Sequence, residues 1–282
     1  MKLRRRPLLL SLGLAGAQAR ARPLVYARQG DPLKDFCFVL LREALARAGS
    51  PLQLTPSRER VSHARALADL AAPPSSHSGI ELIWTMTNQD RERELLPVRI
   101  PLDRGLFGWR VLFVRAGEEA RFAGARRLAD LRSFSFLQGH DWPDADILAA
   151  NGLRVERATQ LEALFPMVAR QRADALPRGV PEVEEELASR ATPEGLVLEP
   201  RLLLRYPTAL YCFVSPQRRE LAAELERCLR ALQASGAFDR LLRQWFAPSL
   251  ALVKLPQRRI IELRNPFLPA ATPLQDASLW WK

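Results

Sequence analysis

The side chains of this sequence that could bind a ligand lie mainly at the ends of apolar stretches, where polar residues follow. Trp84 closes one such stretch, and Thr85, Thr87 and Arg91 follow it. A guanidinium presents parallel N–H donors that match the two oxygens of a carboxylate. Residues that end a strand in this way lie where a ligand can be met. A second interpretation stays open, in which Arg91 belongs to a solvated turn together with the neighbouring glutamates.

A second polar tip follows the apolar residues 134–137. Gly139 ends this stretch, and His140, Asp141 and Trp142 precede a proline that suits the start of a helix. A strand that leads through a glycine turn into a helix leaves backbone N–H groups free to bind a ligand. An ordinary turn between a strand and a helix fits the same pattern. His140 and Asp141 are clustered, but no recognisable nucleophile accompanies them, so we expect no catalysis.

Arg178 supplies a further guanidinium, within a Pro-Arg-Gly segment. We expect it either to meet an anionic ligand or to pair with Asp141 across a cleft. Trp84 and Trp142 each adjoin an apolar strand, so a core position fits them as well as a cleft wall does. The sequence has neither metal-ligand spacing nor a phosphate-binding glycine loop, and we expect no metal and no cofactor.

The elements that must position these side chains alternate between short apolar strands and helices of about 10 to 15 residues, which predicts α/β sheets with parallel strands. The clearest helix follows Asp31 and has an apolar face at helical spacing. That face comprises Leu33, Phe36, Cys37, Leu40, Leu41, Ala44, Leu45 and Ala48. The segment 134–152 predicts a buried strand, a turn and a second apolar helix.

Two bends, each followed by a strongly apolar strand, predict the domain organisation. They lie at 106–114 and 206–214, and paired crossings of this kind make a hinge between two lobes that enclose a cleft. We predict a discontinuous first lobe formed by residues 22–107 and 208–246. The second lobe, residues 108–207, is inserted between them, and a C-terminal tail, residues 247–282, packs on the body.

The first 21 residues are typical of a secretory signal. A basic start precedes a short apolar run and a small-x-small cleavage motif. No run of about 18 apolar residues follows, so we expect no membrane insertion and a monomer in the periplasm. Removal of the signal lowers the formal net charge from +11 to +6, and the arginines are scattered, which argues against nucleic acid as a partner. Cys37, Cys212 and Cys228 fit small buried thiols, and a bridge between Cys212 and Cys228 stays open.

Several segments resemble one protein family over nearly all of the chain after the signal. These segments are ERELLPVRIPLDRGLFGWRV, LQGHDWPDADILAANGL, LFPMVARQRADALPRGVPEVEEE, LRYPTALYCFVSP and LRNPFLPAATPL. They are similar to a divergent branch of the bacterial periplasmic solute-binding proteins of family 3, the amino-acid-binding components of ABC transporters. The resemblance implies an α/β, two-lobe, type II periplasmic-binding-protein fold with a hinge and an inter-lobe cleft. It also implies capture of a small polar, carboxylate-bearing metabolite, with an ABC permease as partner.

The resemblance assigns the ligand carboxylate to Thr85, Thr87 and Arg91. The family's second anchor, a small hydroxyl residue after the second-lobe glycine, is replaced here by His140 and Asp141. Its acidic partner for an ammonium group is replaced by Arg178, which argues against an ordinary α-amino acid as the ligand. Two alternatives to transport are kept: a ligand-sensing partner of a membrane receptor, and a dehydratase-like periplasmic enzyme on the same fold.

Overall fold

A computed structural model of the 282-residue chain describes residues 21–28, 31–73 and 79–281. The predicted signal segment lies outside the described residues except for Ala21. In the part of the chain that the structure describes, no helix is long and apolar enough to cross a bilayer.

The described residues form twelve strands and eight α-helices. The strands are β1 (Arg22–Tyr26), β2 (Leu52–Pro56), β3 (Ile83–Met86), β4 (Leu96–Val98), β5 (Trp109–Arg115), β6 (Ser135–Gly139), β7 (Arg154–Ala158), β8 (Leu176–Gly179), β9 (Leu196–Leu198), β10 (Leu202–Arg205), β11 (Leu210–Val214) and β12 (Arg259–Glu262). The helices are α1 (Phe36–Arg47), α2 (His63–Ala71), α3 (Gln89–Glu94), α4 (Pro143–Ala150), α5 (Leu161–Ala169), α6 (Val183–Glu186), α7 (Arg219–Ala234) and α8 (Ala237–Val253).

The first lobe is built on a sheet in which β2 and β1 pair in parallel and β11 lies between β3 and β4. A bridge between Tyr26 and Leu82 joins the two parts. Side chains of β11 alternate between the two faces, as a strand buried on both sides requires. Cys212 faces the core formed with α1 and α7, and Tyr211 faces the core formed with α2.

The second lobe repeats this plan around β5, which pairs with β10, β8 and β9. Strands β6 and β7 pair in parallel, and a bridge between Phe136 and Ala175 links them to the rest. Val111 and Leu112 of β5 face opposite cores. Strand β6 is fully buried, and α4 follows it. The predicted turn between strand and helix therefore lies in the interior of this lobe.

The prediction of parallel strands is right for only part of the sheets. Both β5 and β11, the strands that follow the two bends, run antiparallel to their neighbours. The chain reaches each of these two strands from the other lobe. Each strand therefore runs opposite to the strands that are connected by a helical crossover within one lobe. The sequence shows the bend and the apolar strand but not the direction from which the strand enters.

Helix α1 has the predicted apolar face, with one exception. Leu33 is 64% exposed, because the chain forms a separate 3-10 turn at Pro32–Lys34 and begins α1 only at Phe36. Asp35 makes this break: its side chain accepts a hydrogen bond from Cys37 N at 2.9 Å and so caps a new helix. The six residues from Phe36 to Leu45 on this face are buried.

The three cysteines are buried free thiols. Cys37 and Cys212 lie in the core between α1 and the first sheet, and Cys228 lies on the buried face of α7. Burial raises the pKa of each thiol, so all three are protonated and unreactive in the folded protein.

Candidate ligand site

A cavity of about 680 Å³ lies between the two lobes. Its first-lobe wall includes Trp84, Thr85 and Arg91, and its second-lobe wall includes Trp142 and Arg178. This volume lies within the range of sites that hold small metabolites. At its base the two lobes touch, where the Arg110 guanidinium lies 3.7 Å from the sulfur of Met86.

Arg91 is held rigidly on the first-lobe wall. It lies in α3, whose first turn is capped by the Asn88 side chain accepting from Arg91 N at 2.8 Å. Its guanidinium donates to the carbonyl oxygen of Met86 at 2.5 Å, while its Nε is buried and has no hydrogen-bond partner. Within the described residues, Arg91 forms no ion pair. Burial lowers the pKa of Arg91, and Asp141 and Asp144 act in the opposite direction; the group stays charged.

Thr85 lies beside Arg91 and bonds to a histidine that sequence analysis missed. The Nε2 of His63 lies 2.9 Å from Thr85 Oγ1, and both residues line the cavity. Burial, with the nearby charge of Arg91, lowers the pKa of His63 to about 4, so the imidazole is neutral at physiological pH. In the sequence, His63 has no metal-ligand spacing to other residues. Its contact with Thr85 joins residues that are 22 positions apart. Nothing in the local pattern marks it.

Trp84 serves both as core and as cavity wall. Its ring stacks on Tyr26 with a centroid distance of 5.2 Å, and its Nε1 donates to the Asp35 carboxylate at 3.0 Å. Burial raises the pKa of Asp35, while hydrogen bonds from Phe38, Cys37 and Trp84 work against that rise. The helix cap of α1 is therefore also part of the wall.

The second-lobe wall carries a closed cluster of charges around Arg110, which is 1% exposed. Its guanidinium pairs with Asp144, lies 3.2 Å from Glu182, and donates to the Tyr206 hydroxyl at 2.9 Å. Tyr206 in turn donates to Asp144. Burial alone would lower the pKa of Arg110, but Asp144, Tyr206 and Glu182 together raise it. None of these residues stands out in the sequence, because their partners are up to 96 positions apart.

Arg178 is likewise engaged within its own lobe. It lies inside β8 rather than on a turn after it, since that strand continues to Gly179 and pairs with β5. Its guanidinium donates to Glu186 at 2.6 and 2.7 Å and pairs with Glu182. It also lies 4.4 Å from the centroid of the Trp142 ring, a favourable position for a cation. Glu182 and Glu186, and not Asp141, thus neutralise Arg178.

The remaining predicted site residues are spread over different places. Asp141 is exposed at the cavity rim. Thr87 is buried beside the cavity, and its hydroxyl donates to Glu92 at 2.6 Å. His140 is exposed, and its backbone bonds to Ala158 and Arg157 without its ring facing the cavity. The structure brings six of the eight predicted residues to the cavity: Trp84, Thr85, Arg91, Asp141, Trp142 and Arg178.

Comparisons with known proteins identify the class of fold. No family model and no curated sequence matches this chain. Among solved structures, an amino acid ABC transporter substrate-binding protein from Streptococcus pneumoniae bound to L-arginine matches with a TM-score of 0.57 and 13% identity, over 80% of this chain and 94% of that one. An ancestral arginine-binding protein bound to arginine matches with a TM-score of 0.55 and 13% identity, over 80% and 98%.

A third structure, a putative binding component of an ABC transporter from Wolinella succinogenes complexed with lysine, gives a TM-score of 0.54 and 18% identity over 75% and 85% of the two chains. These likenesses confirm the predicted fold class: the chain has the two-lobe α/β fold of periplasmic binding proteins, with the cavity in the inter-lobe cleft.

Proposed function

We propose that this protein is an exported solute-binding protein that captures a small, carboxylate-bearing metabolite for an ABC transporter. One observation carries the proposal. Arg91 is half-buried on the cleft wall, its Nε is buried and unpartnered, and no carboxylate among the described residues pairs with it. A guanidinium held partly out of water without an ionic partner is costly, and an anionic ligand in the cleft would supply that partner.

The neighbouring groups define how the ligand would bind. The carboxylate would lie between Arg91 and the Thr85 hydroxyl, whose orientation is set by His63. The other end of the ligand would face Asp141, which opens onto the same cavity and leaves room for a positive or polar group. Since Arg178 is already neutralised by two glutamates, it would shape the wall through Trp142 rather than bind the anion itself.

The solved structures named above support the same role. They are an amino acid ABC transporter substrate-binding protein, an arginine-binding protein and a putative binding component of an ABC transporter; their bound ligands are arginine and lysine, which carry a carboxylate and a cationic side chain. We propose by analogy that this protein works in the periplasm, delivers its ligand to a membrane permease, and binds without chemical change. The signal-like segment 1–21 supports export.

A binding screen with the purified mature protein tests this function. The panel contains free amino acids, dicarboxylates and amines, each added at increasing concentration in a thermal unfolding assay. A ligand present at a hundredfold excess over its Kd stabilises the folded state by about 2.7 kcal/mol, which is readily measured. We expect hits only among carboxylates, and loss of at least tenfold in affinity for Arg91→Gln by calorimetry.

Arg93→Gln is the matched control, because Arg93 lies in the same short helix but is exposed and paired with Asp90. It should bind the hit as the unaltered protein does. The proposal fails if hits are confined to amines, if Arg91→Gln binds normally, or if any hit is chemically converted.

A further inference from the structure

We infer that helix α8 and the segment after it, residues 237–281 together, strap the two lobes to each other, so that ligand exchange proceeds without wide opening of the cleft. The segment supplies two connections in addition to the two bends that form the hinge. This inference concerns the mechanics of the chain and does not depend on which ligand the cleft binds.

The first added connection is helix α8. Near its start, Phe238 and Leu242 lie in the core of the first lobe, and Phe246 packs against Phe36 with a ring-centroid distance of 4.8 Å. Near its end, Val253 lies in a core of the second lobe, and Leu250 contacts both lobes. A continuous helix of 17 residues, about 25 Å long, thus runs from the core of the first lobe to a core of the second.

The end of α8 is fixed to the second lobe by a buried arginine. Arg258 donates to the carbonyl oxygens of Val253 at 2.5 Å, Glu199 at 2.5 Å and Leu202 at 2.9 Å. Strand β12 follows at once and extends the second sheet by pairing with β10. The helix therefore cannot slide relative to this lobe without breaking buried hydrogen bonds.

The second added connection returns the chain to the first lobe. Asn151 of the second lobe bonds to the backbone of Arg264 at 2.7 and 3.0 Å. Shortly after, Gln89 at the start of α3 bonds to the carbonyl oxygens of Pro266 and Phe267 at 3.2 and 3.1 Å. The strap thus reaches the helix that carries Arg91.

The end of the strap is anchored in the first lobe. Leu279 is 2% exposed in its core, Trp281 N donates to the carbonyl oxygen of Arg104 at 2.8 Å, and Arg104 donates back to Ser278. Trp280 lies directly against Gly105: a Cβ there would come within 2.8 Å of its ring. This contact fixes the strap to the bend that begins the hinge.

Four attachments have a mechanical consequence that two do not have. Two adjacent strands allow one lobe to rotate about the line that joins them, because few other contacts must change. A helix and a chain segment that are each fixed to both lobes must bend or detach during such a rotation unless they lie on that line. The described residues 31–73 and 79–281 contain both connections.

Distance measurements between the lobes test the inference without any ligand. Spin labels are attached to cysteines introduced as Ala46→Cys in α1 and Ala150→Cys in α4, which are both exposed, while the native thiols are buried. Pulsed electron resonance of the full-length mature protein should show one narrow distance. Two distances in the intact protein would overturn the inference.

The strap is then cut. A protease site is inserted between Ala270 and Ala271, which are exposed, in a protein that also carries Trp281→Ala so that the short fragment leaves; mass spectrometry verifies its loss. We expect a second, longer distance to appear. A matched control has the same site between Ala116 and Gly117, which are exposed within the second lobe, and should keep the single distance. An unchanged narrow distance after loss of the fragment would show that the anchored end of the strap, residues 271–281, does not restrain the lobes.

Discussion

The two walls of the cleft use the same side chain in opposite ways. On the second-lobe wall, Arg110 and Arg178 are buried and each is neutralised by two carboxylates of its own lobe. On the first-lobe wall, Arg91 is held by a backbone carbonyl and keeps an unpartnered Nε. The contrast shows that burial and charge do not by themselves mark a binding residue. What distinguishes Arg91 is that no carboxylate among the described residues pairs with it.

The largest effect is expected at Arg110. Arg110→Met leaves Asp144 as a buried carboxylate without its cation, whereas Glu182 keeps its pair with Arg178; breaking a buried pair from one side costs about 3–5 kcal/mol. Urea unfolding at neutral pH should show this loss. The double variant Arg110→Met with Asp144→Asn should recover part of it, since the unpaired charge at Asp144 is then gone. If Arg110→Met is as stable as the unaltered protein, the ion pairs of Arg110 do not stabilise the fold, and Arg110 then does not differ from Arg91 in this respect.

An intermediate, pH-dependent effect is expected at His63. Its pKa is about 4 in the folded state against 6.5 as the ordinary value. Between these values the unfolded chain binds a proton that the folded chain does not, so acidification lowers the free energy of unfolding by up to about 1.4 kcal/mol per pH unit. This contribution is fully present above pH 6.5 and is lost as the pH falls to 4.

His63→Gln should remove that dependence while keeping a polar partner for Thr85. The measurement is urea unfolding of both proteins at several pH values from 4 to 7, and the difference between them isolates His63 from the carboxylates that also titrate. A constant difference across the range would show that the histidine is not held neutral by its surroundings.

The smallest effect on stability is expected at Arg91. Arg91→Gln removes a charge that has no ionic partner among the described residues and loses one hydrogen bond to Met86, so the two contributions offset each other. We expect the free energy of unfolding to change by about 1 kcal/mol or less, in the same assay that shows a large loss for Arg110→Met. A loss comparable to that of Arg110→Met would mean that Arg91 is structural.

The parts of the fold that follow from local pattern were predictable. Residues 134–152 form the predicted strand, turn and helix, because their apolar spacing, glycine and proline act over a few residues. The exposure of Leu33 was not predictable from spacing, since a side-chain cap at Asp35 restarts the helix. The apolar spacing thus predicts that helix α1 exists, but the hydrogen bond from Cys37 N to the Asp35 side chain determines where it begins.

The site was harder to predict for a different reason. Thr85 and Arg91 could be proposed from residue type and position, and their role as ligand contacts stays a prediction. His63, Asp144 and Tyr206 gave no signal, because each acquires its importance from a partner far away in the chain. Charge patterning along a sequence does not reveal which arginine will find carboxylates within its own lobe.

The three buried thiols have a consequence for the life of an exported protein. If the chain works in the oxidising periplasm, its cysteines meet oxidants while it is still unfolded, and only folding protects them afterwards. Cys37 and Cys228 come from opposite ends of the first lobe and are shielded together when α1 packs against α7. Protection against oxidation is thus set by how fast the two ends of the first lobe meet, a kinetic demand that falls on the discontinuous lobe and not on the inserted one.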